Sequence, residues 1–146
     1  MYVLKRIHRW LRSDGLLLDL HPEPEQPTID AVRDGMRLEY LGRIDTSGLI
    51  TNIYAARAAL ASLIEAGWFV PERSLIYDFI SHFSSVDEWL RHREERRSSS
   101  VVEPAVIARA RALLAQDGRS ELRVSERVLA SRFRRTHAPH ERVAPT

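Results

Sequence analysis

Cysteine is absent from the 146-residue chain. Its absence excludes a disulfide framework, a thiolate zinc site and a cysteine nucleophile. Packing alone must then stabilise the fold, as suits a reducing cytoplasm. Lysine is almost as scarce: Lys5 is the one lysine among 22 basic residues, which face 20 acidic ones for a formal net charge of +2. That balance offers no surplus of positive charge to a nucleic acid. No apolar run approaches the roughly 18 residues of a membrane span. The opening MYVLKRIHRW places Lys5, Arg6 and Arg9 where a secretory signal needs an apolar stretch. A cytoplasmic protein with no membrane segment is the expectation. The six glycines are isolated from one another, so no Gly-x-Gly-x-Gly turn is present to cradle a nucleotide.

What is present alternates between helical and strand periodicity. Val3, Leu4, Ile7, Trp10 and Leu11 share a helical face that Asp14-Gly15 ends. LLLDL, Leu16 to Leu20, is a short apolar run of the kind a strand buried on both faces requires. Pro22, Pro24 and Pro27 make the next stretch a loop. TIDAVRDGMRLEYLG is a hairpin in pattern, turning at Asp34-Gly35. The following long helix is capped by Thr46 or Ser47, buries Leu49, Ile53, Ala56, Leu60 and Leu63, and stops at Gly67. WFVPERSLIYDFI is a strand bent or restarted at Pro71. Ser85 to Glu88 is a capping box, Ser98 to Ser100 breaks its helix, and EPAVIARARALLAQDG is a further helix with Pro104 in its first turn. ELRVSERVL is the last strand, and the chain is expected to fray from Arg134.

The order of these segments and their wording resemble the C-terminal half of a class I S-adenosylmethionine-dependent methyltransferase. VLKRIHRWLRSDG leading into LLLDLHP is similar to the helix and fifth strand of that family. A helix ending EAGW and then FVPERSLIYDFI resemble the approach to the sixth strand and the strand itself. HFSSVDEWLRH looks like the segment that follows, and DGRSELRVSERVLASRFRR like the closing seventh strand. The resemblance covers Tyr2 to Arg135 and implies an α/β fold, a small mixed β-sheet flanked by helices, within one domain over residues 1–135 and a flexible tail over 136–146. The family's cofactor site rests on its first four strands, which have no counterpart here. The resemblance therefore implies no cofactor bound by this chain alone, and S-adenosylmethionine only where a partner completes the site. A sheet lacking those strands leaves an apolar edge open, and open edges invite pairing. A homo-oligomer, or a second chain supplying the missing half of the sheet, is the expected partner.

The candidate chemistry gathers at that fifth-strand segment. His21 follows its C-terminal end, where open α/β sheets place ligands, and Glu23 and Glu25 follow in the loop, so His21 with Glu23 is the candidate catalytic pair. The alternative is a histidine that caps a strand end. Asp45, before the long helix, is either an N-terminal cap or a substrate contact. Tyr54 and Arg57, one turn apart, are candidate contacts for a small-molecule substrate. Asp78, His82, Asp87 and His92 match no compact metal-ligand spacing, so no metal is assigned. His137 and His140 form an H-x-x-H pair in the tail. RHREERR is expected to be a solvated face. The Arg-rich stretch after Phe133 is the one place for a nucleic-acid contact, a distant third to a split methyltransferase and to a non-catalytic interaction protein.

Overall fold

The computed structural model describes residues 2–96, 99–116 and 118–137. In chain order these form α1 Tyr2–Trp10, β1 Leu16–Pro22, β2 Thr28–Arg33, β3 Met36–Arg43, α2 Ser47–Glu65, β4 Phe69–Phe83, α3 Val86–Glu95, α4 Pro104–Gln116 and β5 Glu121–Arg135. The last strand is the organiser: β5 pairs with β1, β2 and β4, and β3 joins beyond β2. Thr28 faces Ser125 and Val32 faces Glu121, so β2 runs antiparallel to β5. The Glu23 amide donates to the Arg127 carbonyl and the Arg135 amide to the Gly15 carbonyl, both at 2.8 Å, which makes β1 antiparallel to β5 as well.

The sheet is thus antiparallel, not mixed, and β1 is not a parallel strand buried on both faces. Leu16, Leu18 and Leu20 are 43%, 67% and 62% exposed, whereas Leu17, Asp19 and His21 turn inward. An antiparallel strand has one solvated face, and LLLDL hides this because leucine occupies both.

The chain divides into two compact units, one containing residues 2–21, 52–77 and 129–137 of those described, the other 22–51 and 78–128. In the first, Leu60, Leu63, Phe69 and Phe133 form a core, joined by Leu4, Leu11, Leu17 and Trp68. The most deeply buried residue of α1 is His8; of the expected apolar face Leu4 and Ile7 are half-buried, and Val3 and Trp10 are exposed. His8 Nε2–H donates to the Thr136 carbonyl at 3.0 Å, and the ring stands edge-on to Trp68 and Phe69. Burial pulls its pKa below the ordinary histidine value, opposed by the hydrogen bond it donates to Thr136 and reinforced by the charge of Arg135.

Helix α2 has the length and composition of a membrane span, yet Leu60 and Leu63 belong to this core. Of its expected stripe, Ala56 is exposed and Leu49 and Ile53 are half-buried. Strand β4 continues through Pro71 without restarting. Among the described strands it pairs with β5 alone, and an edge strand is where proline is tolerated. Strand β5 likewise runs on through Arg135, past the expected fraying point at Arg134.

In the second unit the hairpin forms as the sequence implies. Asp34 and Gly35 take φ of 50° and 77°, the doubly positive turn that matches strand twist. Its inward face joins Leu41, Ile44, Phe83, Val86, Trp89, Ala110 and Leu122 around Ile29 and Ala31, and α4 packs against both hairpin strands. Ser85 caps α3 by accepting from the Glu88 amide at 3.1 Å. Glu88 returns the contact to the amide and hydroxyl of Ser84, one residue earlier than a strict capping box, and those bonds lower its pKa. Asp30 on β2 stands directly opposite Arg123 on β5, joined by an Nη2–Oδ2 contact of 2.9 Å.

Candidate functional site

Alternation along β1 puts Leu17, Asp19 and His21 on the inward face, and α2 supplies Arg57. His21 Nδ1 lies 3.0 Å from Asp19 Oδ2, and Arg57 Nε–H donates to His21 Nε2 at 2.7 Å. Because a guanidinium only donates, Nε2 must be the accepting nitrogen, so Nδ1 carries the proton given to Asp19. The carboxylate thereby orients the imidazole as in an Asp–His dyad. The triplet borders a hollow of about 250 Å³ whose apolar wall includes Leu4, Leu17 and Leu60. For Nε2 to take a proton from a substrate, Arg57 must first release it. At rest this arrangement is a closed hydrogen-bonded chain.

The structure therefore brings together two of the five sequence candidates, His21 and Arg57, and adds Asp19. The carboxylate against His21 within its own unit is that of Asp19, while Glu23 falls in the other unit, with its amide on Arg127. Asp45 caps α2: its Oδ1 accepts the Ser47 amide at 2.9 Å, and the bonds from Ser47 hold its carboxyl below the usual range. Its backbone also pairs with Val101. Tyr54 is exposed on α2. Asp19 was legible in principle, since a carboxylate two residues before a histidine on one strand shares its face.

The chain matches no protein-family model, no curated protein and no solved structure.

No three histidine, cysteine, aspartate or glutamate side chains gather to hold a metal among the described residues. His82 bonds Glu121 at 2.9 Å, Asp87 pairs with Arg111, and His92 packs its ring against Phe83. His140 of the tail pair lies outside the described residues. The Arg-rich end of β5 is engaged within the fold: Arg132 and Arg134 both bind the Glu72 carboxylate, and Arg135 donates to the Leu11 carbonyl. RHREERR is not wholly a solvated face either, because Arg93 is half-buried, lies over the Trp89 ring and donates to Ser100.

Proposed function

We propose that this protein is a methyltransferase-type component that works in an assembly rather than alone. One observation carries the reading: β1 has an unpaired outer edge among the described residues, while Leu16, Leu18 and Leu20 stand exposed on its outward face. Such an edge is a template for another strand. Supporting it, the three segments that resemble the family's fifth, sixth and seventh strands, β1, β4 and β5, are neighbours in one sheet. The second polypeptide is a further copy or a chain bearing the cofactor-binding half, and S-adenosylmethionine belongs to that completed assembly in the cytoplasm. His21 and Arg57 would then face a small-molecule substrate, with Asp19 holding the imidazole.

Light scattering at micromolar concentration, combined with calorimetric titration by S-adenosylmethionine and its demethylated product, tests this. We expect an oligomer that Leu18→Lys with Leu20→Lys dissociates, and no cofactor heat from the dissociated chain. A stable monomer with the native sequence would overturn pairing with a further copy. The alternative, a non-catalytic interaction protein, draws on the engagement of both His21 nitrogens. Cofactor binding by the native oligomer would decide against it.

A further inference from the structure

The second unit contains a cavity of about 470 Å³, within the range of roughly 300–1,000 Å³ typical of small-molecule sites. Its apolar wall includes three aromatic rings, Phe79, Phe83 and Trp89, beside the aliphatic Ile44, Leu49 and Val124. Three charged side chains also line it: Glu126 from β5, Arg93 from α3 and Arg96 at the end of that helix. Glu126 occupies the face of β5 that carries Leu122 and Val124, where a residue chosen for packing would be apolar. No hydrogen bond or ion pair engages its carboxyl among the described residues, and burial alone pushes its pKa up. Arg93 is held by the hydroxyl and carbonyl of Ser100 and has no acidic partner among the described residues, with burial weakening its charged form.

An acid and a guanidinium of opposite charge thus line one cavity, yet no ion pair joins them. Each is half-buried without a countercharge, which carries a desolvation cost, and the Trp89 ring and Ser100 beside Arg93 give Glu126 no donor. A ligand bearing the complementary groups offsets that cost. Two of the five N–H donors of Arg93 are spent on Ser100, which leaves others for a carboxylate.

We propose that this cavity binds a small aromatic acid carrying a hydroxyl or amino group, with its ring against Phe79 and Trp89, its carboxylate on Arg93 and its donor group on Glu126. The proposal is independent of the methyltransferase reading, because every residue it uses lies in the second unit and none belongs to β1.

The test is calorimetric titration of the full chain with 4-hydroxybenzoate, and with benzoate and phenol as its separated halves, alongside Trp89 emission. We expect saturable binding of 4-hydroxybenzoate at least about tenfold tighter than of either half. Glu126→Leu should weaken 4-hydroxybenzoate about tenfold, the loss of one charge-assisted hydrogen bond, and leave benzoate unchanged. Arg93→Met should weaken 4-hydroxybenzoate and benzoate and leave phenol unchanged. The unchanged arm in each variant separates a lost contact from a lost fold. Absence of saturable 4-hydroxybenzoate binding by a chain whose circular dichroism is that of the folded protein would overturn the proposal. So would equal losses of 4-hydroxybenzoate and benzoate in Glu126→Leu.

Discussion

The pair between Asp30 and Arg123 allows a quantitative test of what holds the second unit together. Asp30 has 5% of its side chain exposed and Arg123 22%, and they face each other across β2 and β5. Asp30 Oδ1 and Arg123 Nε are both buried with no hydrogen-bond partner; Arg37 approaches Oδ1 only to 3.9 Å. Breaking a fully buried pair by removing one member costs about 3–5 kcal/mol, because the other charge is left uncompensated. Partial solvation of Arg123 lowers that figure, so Asp30→Asn should cost about 2–3 kcal/mol. With a urea slope near 2 kcal/mol/M, the unfolding midpoint should fall by about 1–1.5 M. Replacing both residues, Asp30→Val with Arg123→Met, removes the desolvation penalty along with the attraction and should restore stability to within about 1 kcal/mol of the native chain. Trp89 is buried in the same unit, so its emission in a Trp10→Phe, Trp68→Phe background follows this transition. A midpoint unchanged by Asp30→Asn would refute the reasoning, and so would a double variant weaker than the two single ones added together.

Two further outcomes follow from particular contacts. Because the folded-state pKa of His8 is depressed, the unfolded chain binds more protons as pH falls below the ordinary histidine value of about 6.5. Stability should be full above that value and decline as pH drops through the folded one. Thermal midpoints between neutral and mildly acid pH should show this decline, and His8→Gln should flatten it. In β3, Gly42 has a φ of 154° that side chains rarely adopt, and an added Cβ would lie 2.8 Å from Val106 Cγ2 on α4. Gly42→Ala should destabilise by about 1–3 kcal/mol, and Val106→Ala in the same chain should recover the steric share; a neutral Gly42→Ala in urea unfolding would contradict this.

The legible parts of the fold were those whose signal is local. The Asp34-Gly35 turn, the Ser85 cap and the entry of α4 at Pro104 each depend on a few adjacent residues. The direction of β1 was not legible, because strand orientation is decided by a partner more than a hundred residues away and leucines on both faces of LLLDL erase the alternation. Helix α1 misled for a related reason: its apolar spacing was real, but the buried place went to His8, whose ring finds Thr136, Trp68 and Phe69. At the candidate site His21 and Arg57 were found without their geometry, and Asp19 was passed over as part of a hydrophobic run. Glu126 is legible in principle, because it interrupts the inward alternation of Leu122, Val124 and Val128 with an acid.

The central position of β5 has a consequence for how the chain comes to be folded at all. The Gly15 carbonyl awaits the Arg135 amide, and β2 and β4 also await this last strand. During synthesis β1 and β4 therefore await β5 before they pair, whereas the β2–β3 hairpin is able to form beforehand. Contacts of such high sequence separation slow folding and prolong the interval in which apolar strands are open to aggregation. Truncation a few residues before Arg135 should therefore reduce the yield of soluble protein far more than its small loss of mass implies.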